Sequence, residues 1–467
     1  MMPSMTTHRT GSSHWSRVRR STRRISAAAL AVGVLAVSAC DTAAILEVED
    51  PDIINPSDVR SAAGADAVRL GALARFTTAT SGGESLFLMG GLFSDEFQNG
   101  DTFIARQEVD QRVLTPQNGF LDDANRALHR ARLAAEQAVT LMGEFAPDAP
   151  NWQVAEMHFI QGYLINMMAE HYCDGMAFST VVDGAEQFGE QITTEASYEL
   201  ALARINEGLA LITGTTASDQ RVLNALRLTR GRILNNLGRR AEAAAAVAEV
   251  PTTYRYDILH SATAATNSIW FWNVNQFRYS VSDSEGQNGL NFATADDPRL
   301  PVCAGGDAEC LTFGITQAVK NDGTSPVYLQ LLWPDRESTV SILTGVEARL
   351  IEAEAQLETN PAAAIATLNA ARATVPGLAP LVDPGDTAGR VDQLFRERAF
   401  SLFARGYRTG DLRRLVRQYG RAPDSVFPTG PWFKGGNYGT DVTLLVPLSE
   451  ENNPNVATGQ TCLNRDA

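Results

Sequence analysis

Lysine is almost absent from this sequence, which contains only Lys320 and Lys434 among 467 residues. Its basic side chains are also unevenly placed, because the first 39 residues contain six arginines and no acid. The rest of the chain carries 54 acidic against 33 basic side chains, so it is strongly negative. Such a surface repels phosphate backbones, and we therefore expect no nucleic-acid partner.

Several signatures of membrane-spanning and catalytic proteins are also missing. No apolar run of 18 residues follows Cys40, so the sequence predicts no transmembrane helix after that point. The GxSxG, HExxH, P-loop and Rossmann glycine patterns do not occur, and neither does a CxxC pair. We therefore predict no catalytic residues, no metal ligands and no cofactor.

The sequence does contain enough apolar material for a large core. It is 44% hydrophobic and 7% aromatic, which is typical of a globular protein. Its length would allow three domains, but a single continuous helical array is an equally acceptable solution.

The N-terminus is typical of an export signal. An arginine-rich stretch through Arg24 is followed by the mostly apolar residues 25–39, a run too short to span a bilayer. The small residues before Cys40 resemble the bacterial lipobox, whose cysteine becomes the acylated N-terminus. We predict a signal peptide over 1–39, then lipid attachment and an acidic tether over 40–56, so that acyl chains anchor the protein to a membrane. The alternative is an ordinary signal peptide in which Cys40 is incidental.

Four further cysteines follow, at positions 173, 303, 310 and 462. An exported protein meets an oxidising environment, where disulfides form and persist. The loop from Cys303 to Cys310 contains glycine and is short enough to close, so we predict a disulfide between these two residues. The pairing of Cys173 and Cys462 stays open.

Residues 57–251 have the periodicity of paired helices, with apolar residues at helical spacing and short turns between segments. The predicted helices cover residues 57–78, 120–143, 152–172, 194–212, 219–237 and 241–250. The last pair has Gly238 at its turn and Pro251 at its end, and it resembles a tetratricopeptide unit. Residues 348–375 resemble a second such unit.

Helical periodicity fades over residues 252–338, where glycine, asparagine, aspartate, proline and aromatic residues gather. A compact domain rarely keeps so long an irregular segment without a function, so we expect the ligand region here. Residues 270–279 combine aromatic, amide and arginine side chains, which suit the apolar face and hydroxyl rim of a sugar. Their alternation predicts an extended segment with Trp270 and Trp272 on one face and Phe271 on the other.

The candidate ligand contacts share an aromatic ring or a side chain that can hydrogen-bond a hydroxyl group. They are Trp270, Trp272, Phe277, Tyr279 and Trp333 in the irregular segment, and Asp95 and Asn99 nearer the N-terminus. Residues 432–438, in the irregular tail, are of second rank. For each aromatic residue the alternative is packing in the core, and for Asp95 and Asn99 it is a solvated turn.

Residues 339–467 are predicted to return to helix over 339–358, 361–374 and 389–419 before an irregular tail. A series of short motifs from residue 296 onwards, considered in order, resembles the SusD/RagB family. The motifs are Asp296-Asp297-Pro298-Arg299-Leu300, residues 347–355, Leu368-Asn369-Ala370-Ala371-Arg372, Phe395-Arg396-Glu397-Arg398, residues 406–412, residues 444–447, and Asn453-Pro454. Their common order makes the resemblance specific, and together with the lipobox it covers most of the chain after Cys40.

The resemblance implies an all-α, SusD-like helical scaffold with tetratricopeptide-like helix pairs and a loop-rich insertion. It also implies a lipoprotein of the cell outer membrane, exposed at the surface, that captures oligosaccharides or similar nutrients. Its implied partner is a TonB-dependent, SusC-like barrel transporter, to which the nutrient passes. The family is not one of enzymes. The stacking aromatics of its glycan-binding members have no residue-by-residue counterpart here, so the ligand is not identified.

The charged residues of these motifs also have a structural interpretation. Buried charges are tolerable when they are paired. We expect a structural polar network of Arg396, Glu397, Arg398, Arg408 and Asp411. Arg398 is expected to pair with acids on the helix predicted over 339–358. Asp297 and Arg299, which flank Pro298, are expected to staple their own loop.

Two other functions fit parts of the sequence. A lipidated helical-repeat scaffold for envelope proteins would bury the aromatic residues of 252–338 and expose a concave groove between its repeats. An all-α glycosidase would need two facing carboxylates, for which Asp122, Asp123 and Glu195 are available.

Overall fold

The computed structural model describes residues 60–182 and 185–466. The predicted signal peptide, the lipid attachment site at Cys40 and the tether lie outside these residues. Helices supply most of the regular structure. They are α1 (Ala62–Ala79), α2 (Leu86–Phe93), α3 (Ile104–Gln111), α4 (Gly119–Phe145), α5 (Asn151–His171), α6 (Thr194–Leu211), α7 (Ala217–Asn236), α8 (Arg240–Val247), α9 (Ser268–Trp270), α10 (Ala308–Thr312), α11 (Gly345–Thr359), α12 (Pro361–Arg372), α13 (Thr387–Ser401) and α14 (Arg408–Tyr419).

The strands are short and form two-stranded antiparallel ladders. They are β1 (Phe97–Asn99), β2 (Met176–Ala177), β3 (Thr180–Val182), β4 (Ala185–Gln187), β5 (Gln191–Ile192), β6 (Arg255–Ile258), β7 (Tyr279–Val281), β8 (Val302–Ala304), β9 (Tyr328–Gln330) and β10 (Val340–Thr344). The pairs are β1 with β7, β2 with β5, β3 with β4, β6 with β10, and β8 with β9. The predicted division into parts at residues 251 and 338 stays a prediction.

Glycines allow the helices to pack closely. A Cβ at Gly162 on α5 would lie 2.6 Å from the Ile205 side chain on α6. A Cβ at Gly231 on α7 would lie 2.3 Å from Cγ1 of Val247 on α8. The predicted pairing of these helices and the small residue between the tetratricopeptide-like helices are therefore confirmed.

Two of the predicted helices are wrong in extent. The segment predicted as one helix over 339–358 begins as strand β10, which pairs with β6. The helix starts only at Gly345, where a Cβ would come within 1.9 Å of the carbonyl oxygen of Pro251. The segment predicted over 389–419 is two helices, because Ala404 and Gly406 adopt left-handed φ values of 54° and 71° between them.

The extended segment predicted at residues 270–279 is also wrong. The backbone is helical over Ser268–Trp270 and continues as a π-helical turn over Phe271–Asn275. Asn267 caps this turn, since its side-chain oxygen accepts the backbone N–H of Trp270 at 3.0 Å. Capping by a polar side chain in this way outweighs the strand-like alternation of the aromatic residues.

Of two disulfides, one closes a short loop within the irregular insertion and the other ties the C-terminal tail to the end of α5. Cys303 and Cys310 form the predicted bond across β8 and α10. Cys173, just after α5, bonds Cys462 in the C-terminal tail. Among residues 60–182 and 185–466, no helix combines the length and apolar character that a bilayer crossing requires.

The expected polar network is confirmed only in part: Arg398 and Asp411 bond each other, whereas Arg396, Glu397 and Arg408 bond residues outside the predicted set. Arg398 donates from Nε to Asp411 on α14 at 2.8 Å, and not to an acid on α11. It is Arg414 that bonds Glu354 on α11. Asp411 also accepts a bond from Arg414 at 2.9 Å, so one carboxylate joins α13 and α14.

The loop staple at residues 296–300 reaches further than expected. Arg299 donates to its neighbour Asp297 at 2.7 Å and also to Glu397 on α13 at 2.6 Å. Arg396, the remaining member of the predicted network, is half-buried and donates to the side chain of Asn291 at 3.2 Å.

Candidate ligand-binding face

Three segments that are far apart in the sequence meet at one surface. Strand β1 pairs with β7 so that Asn99 lies opposite Tyr279, and the N–H of Gly100 donates to the carbonyl of Arg278 at 2.8 Å. From the tail, Nζ of Lys434 donates to the carbonyl of Asp101 at 2.6 Å. The irregular insertion, the loop after α2 and the C-terminal tail therefore contribute to the same site.

Exposed aromatic rings lie around this meeting point. Phe103 is 53% exposed and Phe433 is 37% exposed, while Trp272 is half-buried. The guanidinium carbon of Arg278 lies 5.5 Å from the centre of the Phe103 ring and 5.8 Å from that of Trp272. We call Phe103, Trp272, Arg278, Phe433 and Lys434 the aromatic–arginine face.

A buried arginine supports the face from beneath. The guanidinium carbon of Arg106 lies 4.6 Å from the ring centre of Trp272 and 4.2 Å from that of Phe120. Its Nε donates to Glu84 at 2.5 Å, and its Nη1 pairs with Asp101. Although burial opposes the charge, the hydrogen bond to Glu84 holds the pKa of Arg106 above its usual value. A permanent cation thus fixes the position of Trp272.

Asp101 organises the loop that carries Phe103. It accepts hydrogen bonds from Arg278 at 2.7 Å and from the backbone N–H groups of Thr102 and Phe103 at 2.6 and 3.2 Å. Burial raises its pKa, but these bonds and the charge of Arg106 outweigh burial and hold the pKa of Asp101 below its ordinary value. The carboxylate therefore stays ionised and keeps Arg278 beside the aromatic rings.

Both lysines of the chain lie at this face. The Nζ atoms of Lys320 and Lys434 are 4.3 and 5.5 Å from the centre of the Phe433 ring. Lys434 also forms an ion pair with Asp322 at 2.6 Å. Burial lowers the pKa of Lys320 to about 8, although nearby carboxylates act in the opposite direction.

Two buried acids hold the tail against the rest of the face. The indole N–H of Trp432 donates to Asp110 at 2.7 Å, and the hydroxyl of Tyr438 donates to Glu285 at 2.7 Å. Burial raises the pKa of Asp110 to about 6 and that of Glu285 well above its ordinary value. The second-rank segment 432–438 is therefore part of the face, through Phe433 and Lys434.

Two of the predicted contacts, Trp270 and Phe277, lie beside the face and are half-buried against the Cys303–Cys310 disulfide region. Phe277 has a left-handed φ of 56°, a conformation that bulky side chains rarely adopt. Its carbonyl accepts the N–H of Asn321 at 3.0 Å, and a Cβ at Gly100 would lie only 2.4 Å from that carbonyl oxygen. The surrounding backbone thus imposes this conformation, as is common near functional sites.

Tyr279 and Trp333 are buried and cannot act as exposed platforms. The Tyr279 hydroxyl donates to Glu84 at 2.7 Å, and its ring packs edge-on against Phe97. Trp333 lies in the main core, with the guanidinium carbon of Arg405 at 5.6 Å from its ring centre. Core packing, the alternative considered for aromatic residues, is their role.

Asp95 and Asn99 are buried as well, so neither is a surface contact or part of a solvated turn. Asp95 accepts two hydrogen bonds from Arg408, at 2.6 and 2.8 Å. Asn99 accepts the N–H of Asp101 at 2.8 Å and so shapes the loop before Phe103. Both residues support the face from within.

Two residues of the site were missed by the sequence analysis, namely Phe103 and Arg106, while Arg278 lies in the segment 270–279 that it singled out. Phe103 precedes a short helix and carries no motif, so its exposure depends on the tertiary fold. For the tail, the sequence did contain a signal, namely the rarity of lysine. The chain has 37 arginines and two lysines, and both lysines lie beside Phe433.

The acids considered for a glycosidase are placed as follows. Asp122 pairs with Arg126 and accepts a bond from Ser449. Asp123 and Glu195 are exposed on helices α4 and α6.

Solved structures share this architecture. A SusD superfamily protein from Parabacteroides distasonis has a TM-score of 0.62 and 15% identity, over 85% of this chain and 98% of that chain. A SusD-like carbohydrate-binding protein from Bacteroides fragilis has a TM-score of 0.62 and 14% identity, over 85% and 99%. A SusD superfamily protein from Bacteroides vulgatus has a TM-score of 0.57 and 14% identity, over 86% and 99%. No protein-family profile and no curated protein matches the sequence.

Proposed function

Because the chain has the SusD-like fold, as its motifs predicted, we propose that it captures carbohydrate nutrients at the aromatic–arginine face. The observation that carries this proposal is the meeting of three remote segments, which brings exposed Phe103 and Phe433 and half-buried Trp272 beside Arg278 and Lys434. No covalent step is needed for such a role.

The chemistry of the face suits a sugar. An aromatic ring offers a flat apolar surface to the C–H face of a pyranose, and desolvation of that contact favours binding. Arg278 and Lys434 can donate to ring hydroxyls, and the exposed amide of Asn275 lies in the adjacent π-helical turn. Asp101 holds Arg278 at 2.7 Å, which reduces the entropy lost on binding.

We further propose that capture is one half of an uptake system. The lipobox at Cys40 would anchor the protein in the outer membrane, and the tether over 40–56 would separate the folded body from the lipid surface. The captured oligosaccharide would then pass to a TonB-dependent, SusC-like barrel. A helical-repeat scaffold without a ligand would have no need for exposed Phe103 and Phe433, which is why we favour the binder.

Ligand capture is tested by titrating the mature protein with a panel of plant, algal and host oligosaccharides and following tryptophan fluorescence and heat. We expect saturable binding of at least one member. Release of shortened products during the titration would instead support the glycosidase, and a panel without any binder would contradict the proposed capture.

The partner is tested by solubilising outer membranes in mild detergent and isolating the intact lipoprotein. We expect a large β-barrel protein to accompany it, and Cys40→Ser to abolish membrane association. Isolation with other envelope proteins but without a barrel would contradict the proposed hand-over.

A further inference from the structure

A second cleft, of about 460 Å³, lies on a part of the molecule that the aromatic–arginine face does not use. It is bounded by the start of β6, the end of β10 and residues of α11, α12 and α13. This volume lies within the range of small-molecule sites.

The cleft is positively charged in a protein that is strongly negative after its first 39 residues. Its charged lining consists of Arg255, Arg299, Arg372, Arg405 and Glu397. Glu397 accepts hydrogen bonds from Arg299 at 2.6 Å and from Arg372 at 2.5 Å, so a single carboxylate serves both. Asp297 adds a second acid for Arg299 at 2.7 Å. The other two arginines of the lining, Arg255 and Arg405, have no such acidic partner among the described residues.

Arg255 and Arg405 have no acidic side chain within ion-pair distance among the residues that the structure describes. Arg405 donates from Nη1 to the carbonyl of Ser401 at 2.9 Å, while its buried Nε has no hydrogen-bond partner within the same described ranges. Arg255 makes one long contact, to the Ser341 hydroxyl at 3.4 Å. Burial and the charge of Arg255 both lower the pKa of Arg405. The positive charges of the two side chains therefore repel each other.

Neutral donors complete the lining. The hydroxyl groups at the cleft are those of Thr252, Thr253, Thr344, Thr374 and Ser401. Thr344 immediately precedes α11, and its hydroxyl is buried without a hydrogen-bond partner in the described chain. The first N–H groups of a 15-residue helix point towards this end, where a helix favours negative charge.

We propose that this cleft binds a small ligand through an oxyanion group, a carboxylate, sulfate or phosphate, held between Arg255 and Arg405 and the hydroxyl of Thr344. Guanidinium groups match the planar or tetrahedral oxygens of such groups through paired hydrogen bonds. A bound anion would also relieve the repulsion between the two arginines. This site goes beyond the proposed capture of sugars and does not depend on it.

The test titrates the mature protein with sodium glucuronate, inorganic sulfate and inorganic phosphate at constant ionic strength, with glucose as the uncharged control. Heat and the chemical shifts of arginine side chains are recorded. We expect saturable binding of at least one anion that depends on Arg255 and Arg405, whereas any binding of glucose, whose proposed site is the aromatic–arginine face, should not depend on them. Tighter glucuronate binding would identify a carboxylated ligand, and tighter sulfate or phosphate binding an ester of those acids; either result supports the proposal.

Arg255→Gln and Arg405→Gln are the test variants, and Arg126→Gln, on the exposed surface of α4, is the matched control. Each test variant should weaken anion binding at least tenfold, whereas the control should not. Arg255 is exposed, so its variant remains informative if the Arg405 variant fails to fold. Absence of saturable binding, or equal binding by all three variants, would overturn the proposal.

Discussion

The helix pairs and the aromatic–arginine face are held together by different means. Between α7 and α8 the contact depends on a missing side chain, because Gly231 leaves no room beyond Val247. At the face, remote segments are joined by charged groups such as Asp101 with Arg278 and Asp95 with Arg408. Helices that pack over their whole length can rely on shape, whereas short loops bury too little apolar surface and need directed polar bonds.

This difference has a functional consequence. The helical pairs present a rigid body in which one methyl group changes the fit. The face carries its rings above a layer of buried ions, and the positions of Phe103 and Trp272 depend on Arg106 and Asp101. Substitutions should therefore act on stability in the helical pairs and, at the surface of the face, on binding.

The largest expected effect concerns the ion pair that joins the loop after α2 to α14. Arg408→Met leaves Asp95 buried without its cation, which should lower the free energy of unfolding by about 3–5 kcal/mol. Chemical denaturation followed by circular dichroism measures this change. Arg126→Met, which breaks an exposed pair, should change it by less than about 1 kcal/mol. Equal effects would show that the loops do not depend on buried charge.

The next effect concerns close packing of the helices. In Gly231→Ala the new methyl group would meet Val247, and we expect a loss of about 1–3 kcal/mol. Gly143→Ala on α4 is the control, since no atom lies within 4 Å of its added Cβ, and it should be neutral or slightly stabilising. The double variant Gly231→Ala with Val247→Ala should recover part of the loss if steric contact is the cause.

A smaller effect is expected from pH. Burial raises the pKa of Glu96 to about 8, against the hydrogen bond from the N–H of Ala404 and the charge of Arg408. Because the folded pKa is the higher one, this contribution to stability is complete below pH 4.5 and is lost as the pH rises through about 8. Glu96→Gln should therefore be more stable than the wild type at pH 8.5, by the order of 1 kcal/mol.

The same comparison at pH 4.5 is the control for Glu96→Gln, since both proteins then carry a neutral side chain at this position. Unfolding curves at several pH values give the result. An unchanged pH dependence in the variant would mean that Glu96 is ionised in the folded protein.

The two regions also differ in how far the sequence predicts them. The helices from α4 to α8 were predicted within a few residues, because their apolar periodicity is a local property. Strand β10 was missed, since Val340–Thr344 is a short apolar run whose conformation depends on pairing with β6, some eighty residues earlier. The interruption between α13 and α14 was missed as well. It depends on a left-handed backbone conformation at Ala404, and an alanine gives no local signal for that conformation.

For the site, the sequence located the right segments but few of the right side chains. The loop after α2, residues 270–279 and residues 432–438 all reach the face, and Trp272 is part of it. The fold buries four of the predicted contacts, Asp95, Asn99, Tyr279 and Trp333. Their partners in the folded protein are Arg408, Asp101, Glu84 and the core, respectively, and the sequence does not show these contacts. Residue type indicates what a side chain can do, and only the fold decides whether a ligand can reach it.

The most direct measurement is calorimetric titration of Phe103→Ala and Trp272→Ala with an oligosaccharide that the wild type binds. Phe188→Ala, which removes another exposed ring just after β4, is the matched control. Loss of one stacking ring is worth roughly 1–3 kcal/mol, so each test variant should bind at least several-fold more weakly, and the control should bind as the wild type does. Equal affinity in all three variants would place capture elsewhere on the molecule and contradict the account.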